Sequence, residues 1–405
     1  MLSGFKKSEL AELYFNPILP NVDFATKYYR VNEKQIIKSC FGLRKKECGG
    51  EVYPILSTKN MIGNSYNLTK YKNSLPVRLI REFLWDRTAW KNNSLKQWLD
   101  EVKPNVIFTT LQDINSLIKA VDWIADYTNC FIVLFVTDDY YNDPLKSNNI
   151  FRKNYYKTRQ KLDKRLAKRV KVILGCSNYA TIFFRNCLNI CGKCETVYTP
   201  TTEYYLSLPL HKQSKRKLVI RYFGNMSLGR WEILEKLGKT LQTINVKNKK
   251  AILEVYSAEE NPEAIEALTI PNCCTFKGYV AGDEYACLLQ SADITVHVES
   301  FDYEIKNRTW LSVSTKIADY LGAGKCILAI GPRDLASMEH LKGASCVVDD
   351  LSKLKKSVEG LLLDSKLRSE FQIKARELAL EYHDINKIKE QVRNAVENAS
   401  SEIIN

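Results

Sequence analysis

Apolar strand-like runs alternate with amphipathic helical runs along most of this 405-residue chain, and few folds accept that alternation. A strand followed by a covering helix and a further strand implies parallel sheets sandwiched between helices. The first series starts with a short strand candidate, Glu9–Phe15, and a helix at Ser94–Val102 that stops before Pro104. Asn105–Thr110 then reads as a strand, Ile114–Tyr127 as a helix, Cys130–Thr137 and Val170–Cys176 as strands. Thr199–Lys217, with Pro200, Pro209 and the run Lys215, Arg216, Lys217, reads as a linker. A second series follows: strands at Leu218–Phe223, Ala251–Tyr256, Ile294–Val298 and Cys326–Ile330, with helices at Arg230–Ile244, Glu284–Gln290 and Thr315–Leu321. From Asp350 onward the chain reads as helical, with a break near His383 and Asp384. The expected division is residues 1–200, residues 201–380, and a final helix in 381–405.

Bulk properties narrow the class. Hydrophobic residues make up 45% and charged residues 26%, which excludes a disordered chain. No apolar run approaches the roughly 20 residues that span a bilayer. Met1–Leu10 carries Lys6, Lys7 and Glu9 and no apolar core, so no secretory signal is expected there. Twelve cysteines in such a chain point to reduced thiols and a cytoplasmic setting. Cys187, Cys191 and Cys194 have the spacing of a radical iron–sulfur enzyme, but they fall mid-chain and Lys193 stands where an aromatic residue is usual. The plainer reading is a helix end closed by Gly192, and no metal site is expected.

The net charge of +14 is concentrated. Ten of the twenty residues from Arg152 to Lys171 are Lys or Arg, against one acid, Asp163. Tyr155, Leu162, Leu166 and Val170 recur through it at roughly helical spacing, giving a basic amphipathic helix. It is either a solvated face or a contact with an anionic membrane surface; no nucleic-acid module accompanies it.

Three segments carry chemistry. In Tyr222-Phe-Gly-Asn-Met-Ser-Leu-Gly-Arg230 a buried strand runs through Gly224 and Gly229 into a helix. Helix N-termini offer free N–H groups to phosphate, and Arg230 adds a guanidinium. In Ser312–Lys325, Ser314 or Thr315 can cap a helix whose first turn holds Lys316. Asp319 lies one turn further on the same side, so amides and a cation for phosphate stand beside a carboxylate for sugar hydroxyls. An exposed capped helix with an ion pair has the same pattern. Third, Ile294–Val298 ends in Glu299, where parallel sheets bind ligands; His297 reads as packed or solvated rather than catalytic.

In their order, Gly224-Asn225…Arg230, Phe276-Lys-Gly-Tyr-Val280, Ser291-Ala-Asp293, Glu299 and Ser314-Thr-Lys-Ile-Ala-Asp319…Gly324 resemble glycosyltransferase family 4. The similarity is to bacterial branches that make capsule, O-antigen or exopolysaccharide. It spans about Leu2 to Asp349 and is specific from Tyr222 to Pro332. It implies the α/β GT-B fold: two Rossmann-like domains facing a cleft, with C-terminal helices crossing back. It also implies sugar transfer with retention, no metal, and no cofactor beyond a nucleotide-diphosphate sugar donor, itself a substrate. By position Asp319 matches the acid that bonds the donor ribose, and Glu299 the acid near the donor sugar. Ser314, Thr315 and Lys316 match the helix start beneath the diphosphate. Gly224, Asn225 and Arg230 match the glycine loop, and Tyr279–Val280 the backbone that meets the base. Glu299, Arg230 and Lys316 are the expected catalytic residues. Implied partners are a saccharide or lipid-linked acceptor and the inner face of a plasma membrane.

The sequence departs from the family twice. Asp302–Leu311 is inserted between the two acids and is expected to loop out. The chain opens at Leu2-Ser-Gly-Phe5, like the helix that follows the family's first strand and glycine loop, so roughly 25 residues of a Rossmann half are expected to be missing. The competing reading is an impaired, transferase-like scaffold at a membrane.

Overall fold

A computed structural model describes residues 2–15, 20, 23–40, 48–54, 75–87, 90–139, 141, 149–211, 217–246 and 250–401. Lys215 and Arg216 of the expected linker lie outside them. Thirteen strands are described: β1 Ala11–Tyr14, β2 Lys27–Val31, β3 Gly49–Val52, β4 Val106–Thr110, β5 Phe131–Val136, β6 Val170–Gly175, β7 Lys193–Thr196, β8 Leu218–Phe223, β9 Ala251–Tyr256, β10 Cys274–Gly278, β11 Ile294–Val298, β12 Cys326–Ile330 and β13 Cys346–Val348. They form three sheets, ordered β1-β2-β3, β4-β5-β6-β7 and β10-β9-β8-β11-β12-β13. Every pairing is parallel except β2 with β3.

The six-stranded sheet explains its own sequence. All five residues of β11 and of β12 are buried, as expected where helices cover both faces. One face packs under the helices Arg230–Asn245 and Leu354–Leu363 through Leu234, Leu237, Leu241, Val358 and Leu361. The other packs under Gly282–Ser291, Thr315–Gly322 and Ser365–Tyr382 through Leu289, Ile317, Leu321, Ala375 and Ala379. Because the strands run parallel, the chain leaves β8 and β11 at the same edge, which places Gly224 beside Glu299 in the fold.

The expected break at His383 is present: one helix ends at Tyr382 and the next, Ile385–Ser400, begins after Asp384 caps it. This last helix sets Ile388, Val392, Ala395 and Ala399 against Val133 of β5 and Val172 and Leu174 of β6, so the C-terminus does cross back. The crossing is pinned to the linker by Thr201 N–H on the His383 carbonyl (2.8 Å) and by His383 Nδ1 against the Thr199 carbonyl (2.6 Å). The linker is not featureless; Thr202 caps a short helix, Glu203–Ser207.

One expectation is corrected by this part of the fold. The insertion does not loop out. Asp302 caps the helix Tyr303–Thr309, and Trp310 and Leu311 then bury against the N-terminal half. Trp310 Nε1 donates to Asp139 (3.3 Å), Ser177 Oγ to the Leu311 carbonyl (2.5 Å), and Ser312 Oγ bonds Asp138. An indole and a leucine have reason to leave water, and they do so across the two halves. The basic helix has the buried side that its amphipathic spacing implied. It spans Ile150–Ala167, and Arg159 within it is buried against Asp113 (2.8 Å) and Asp163 (3.6 Å). Arg165 pairs with Asp122 and Arg169 with Asp126.

Of the three clustered cysteines, Cys191 is exposed while Cys187 and Cys194 are half-buried. Leu188 ends the helix there, with Asn189 in the left-handed conformation rather than Gly192 closing it. No grouping of three metal-ligating side chains occurs among the described residues.

Candidate donor site at the interdomain edge

The site lies at the C-terminal edge of the six-stranded sheet, facing the first half through Trp310–Ser312. After β8 the chain needs two glycines. Gly224 has φ +150°, and Gly229, with φ +70°, precedes the helix Arg230–Asn245. A Cβ on Gly229 would meet Ser300 Oγ at 2.7 Å, so only glycine lets this loop close on the end of β11. Inside the loop Asn225 is committed locally. Its Oδ1 accepts from Ser227 N–H (2.6 Å), and its carbonyl accepts from Tyr222 OH (2.6 Å). The side chain shapes the turn, leaving backbone to face a ligand.

Arg230 and Glu299 meet. Arg230 Nη2 donates to Glu299 Oε2 at 3.0 Å, with the carboxylate almost wholly buried. Burial pushes the Glu299 carboxyl up, opposed by the guanidinium. His297 Nε2 lies 3.4 Å from Glu299 Oε1 but makes no hydrogen bond. Burial, with Arg230 adding to it, holds the imidazole down at about 3, so it is neutral at pH 7. Of the two readings, packed or solvated, His297 is packed, yet it touches the acid.

Lys316 and Asp319 are joined through a residue that sequence reasoning missed. Tyr285 OH donates to Asp319 Oδ2 (2.8 Å), and Lys316 Nζ lies 4.3 Å from the Tyr285 ring centroid. Burial raises the Asp319 carboxyl, while the Tyr285 hydrogen bond and Lys316 lower it. Tyr285 itself packs edge-on to Phe223 at the end of β8 (5.0 Å). Tyr320 OH spans the Phe223 N–H and carbonyl, 3.2 Å from each. An aromatic frame therefore fixes the acid to the glycine loop. The available signal was Tyr285 and Tyr320 standing in otherwise aliphatic helix faces, a weak one beside the glycines.

Ser314 precedes the helix Thr315–Gly322 but forms no capping hydrogen bond, contrary to the expected cap. Thr315 does not cap it either; it is the first helical residue. The first-turn amides are left without a side-chain acceptor, which suits an anion better than a capped end does. Val280 packs on the same aromatic cluster, whereas Tyr279 is exposed. Two groups of expected residues thus lie along this edge: Gly224, Asn225, Arg230 and Glu299; and Lys316 and Asp319, which meet through Tyr285 beside Val280, with Ser314 and Thr315 opening the same helix and the Tyr279 side chain turned to solvent.

Residues 230–394 match a family model described as glycosyl transferase-like. No curated protein matches the chain by sequence. Solved structures do match in shape. Sucrose-phosphate synthase from Thermosynechococcus elongatus superposes with a TM-score of 0.56 at 13% identity, over 79% of this chain and 80% of that one. Anabaena HepE in complex with UDP gives 0.54 at 12%, over 78% and 82%. The trehalose-6-phosphate phosphatase N-terminal domain of Candida albicans gives 0.60 at 13%, over 96% of both chains. The fold is GT-B. In a GT-B fold the edge described above faces the cleft between the two halves.

Proposed function

We propose that this protein is a retaining glycosyltransferase of family 4 type. It would move a sugar from a nucleotide-diphosphate sugar to a saccharide or lipid-linked acceptor in bacterial surface polysaccharide synthesis. The observation that carries this reading is the coincidence of an uncapped helix start at Thr315, the cation Lys316 and the buried Arg230–Glu299 pair on one sheet edge. The amides of Thr315 and Lys316, with the Arg230 guanidinium, offset the charge that develops on a leaving diphosphate. Asp319, with Oδ2 held by Tyr285, presents its other oxygen to ribose hydroxyls. Glu299 lies next to Arg230, where the donor sugar would rest. Backbone near Tyr279–Val280 receives the base. That UDP and UDP-glucose occupy Anabaena HepE, a fold neighbour, supports a nucleotide-sugar donor.

The membrane part of the reading rests on the basic helix. Lys157, Lys161, Lys164 and Lys168 are exposed on it and form no ion pair among the described residues. Ile150 and Phe151 at its start are each 66% exposed, an apolar lip beside the charge that an interface would cover. No helix among the described residues is long and apolar enough to cross a membrane.

The test is turnover. The purified chain, given UDP- and GDP-sugars, should release the nucleoside diphosphate, and release should persist in excess EDTA because amides and guanidinium neutralise the diphosphate. Failure to bind any nucleoside diphosphate would remove the reading. Turnover abolished by EDTA and restored by manganese would replace the mechanism.

A further inference from the structure

The segment Asp302–Leu311 lies between Glu299 and Asp319, and the proposed transfer uses none of its side chains. It is fastened firmly on its own side. Asp302 caps its helix, Lys306 Nζ pairs with Asp334 (2.5 Å), and the Trp310 carbonyl accepts from Ala336 N–H (2.9 Å). Ile305 reaches the glycine loop: a Cβ on Gly229 would meet its Cδ1 at 3.3 Å.

The far end of the segment belongs to the other half. Leu311 is 0% exposed, and the cluster that buries it, with Val136, Ala180 and Phe184, is the core of the first half. Trp310 packs on both cores, meeting Phe183 edge-on with ring centroids 5.3 Å apart. The polar groups of Trp310, Leu311 and Ser312 are taken by Asp139, Ser177 and Asp138, just beyond the ends of β5 and β6. The donor-side helix begins at Thr315, four residues after Leu311. Four residues reach at most about 14 Å when extended. While Leu311 is seated, that helix start cannot leave the first half.

The chain crossings do not achieve this alone. Thr199–Thr201 and His383 are hydrogen-bonded to each other and so form one pivot. Halves joined at a pivot move relative to one another unless an apolar interface stops them. The helix Ala336–Leu341 connects this pivot to the inserted segment. Ala336 holds Trp310, and His340, about one turn on, meets His383 (2.8 Å) and stacks on Tyr198 (4.1 Å).

We infer that Asp302–Leu311 is a strap that holds the two halves at their working separation before any nucleotide binds. Trp310 and Leu311 are positioning residues, acting through the alignment of the donor edge with the first half. Alignment fixed in advance need not be achieved at the moment of reaction, so its loss falls on turnover. Donor binding is spared, because Arg230, Lys316 and Asp319 all stand in the second half. The hold itself is independent of the transferase reading; its effect on turnover rests on that reading.

Small-angle X-ray scattering and calorimetry on the full chain test it, with UDP as the probe. The wild-type radius of gyration should be the same with and without saturating UDP. A Trp310→Ala/Leu311→Ala variant should scatter as a broader particle, and its hydrogen–deuterium exchange at residues 177–184 should quicken at least tenfold. Its Kd for UDP should stay within a factor of two of wild type. With UDP-glucose as donor, kcat should fall at least tenfold at unchanged KM, whereas simple loss of folded protein would lower the UDP stoichiometry in step with activity. Leu311→Met, which keeps the volume, should scatter and turn over as wild type does. If the double variant does not fold, Leu311→Ala alone carries the comparison. The inference fails if wild type contracts on UDP, or if the folded variant scatters and exchanges as wild type does. A wild type that neither binds UDP nor turns over UDP-glucose counts against the transferase reading, and the variant's scattering and exchange still decide the strap.

Discussion

Replacing Asp319 by alanine tests the donor site at its most connected residue. In the free protein one carboxylate oxygen is engaged by Tyr285 OH at 2.8 Å, and the ammonium of Lys316 sits over the same ring. The remaining oxygen is the group available to ribose. A hydrogen bond to a charged acceptor contributes about 1.5–3 kcal/mol, so Asp319→Ala should raise the Kd for the matching nucleoside diphosphate by about 10- to 150-fold. Part of that could arise from the frame, because the truncation also orphans Tyr285 OH. Tyr285→Phe separates the terms. It keeps the carboxylate and removes one neutral donor, so its effect should stay near 0.5–1.5 kcal/mol, roughly 2- to 13-fold. Calorimetric titration with UDP and with GDP reads both, and thermal melts of each variant confirm folding. If either nucleotide binds wild type and a folded Asp319→Ala variant within a factor of two, Asp319 is not a ribose ligand for it.

Two further outcomes are expected. Replacing Lys157, Lys161, Lys164 and Lys168 by Gln should lower affinity for phosphatidylglycerol vesicles at least tenfold, since each exposed cation near an anionic leaflet contributes about 1 kcal/mol. Wild-type binding should fade at 1 M salt, where screening acts within about 3 Å; co-sedimentation checks both, and unchanged sedimentation of the variant returns the helix to a solvated face. Separately, burial holds His297 and His340 down at about 3 and His383 at about 4. Between these values and the unfolded value near 6.5 the unfolded chain binds more protons, so stability is full above that range and is lost as pH falls through it. Each buried histidine adds a slope of about 1.4 kcal/mol per pH unit, and His297→Asn should remove one such increment from urea unfolding measured between pH 6.5 and 4.5.

What the sequence revealed follows from where local rules act alone. Strands β8, β9, β11 and β12 were readable to the residue, because each is a short, mostly apolar run with polar or glycine-containing flanks; β11 and β12 are buried throughout. The break at His383–Asp384 was readable because Asp384 is a helix cap written in the sequence. Strands β2 and β3 escaped notice: Lys27–Val31 alternates Lys, Tyr and Arg, and Gly49–Val52 opens on two glycines, so neither has an apolar run. The candidate site was legible as residue types but not as contacts. Arg230 and Glu299 are 69 positions apart, and nothing local says that they pair; the pairing comes from parallel strands leaving the sheet at one edge. The Tyr285 contact to Asp319 is hidden for the same reason, since it joins two helices across 34 positions of chain. The insertion shows the opposite limit. Its length predicted a loop, but length is silent about affinity. Trp310 and Leu311 carry enough apolar surface to prefer the Tyr179–Phe183 side of the other half over water, and Asp138 and Asp139 accept the polar groups that come with them. The inserted segment thereby ties the sheet edge bearing Glu299 to the N-terminal half.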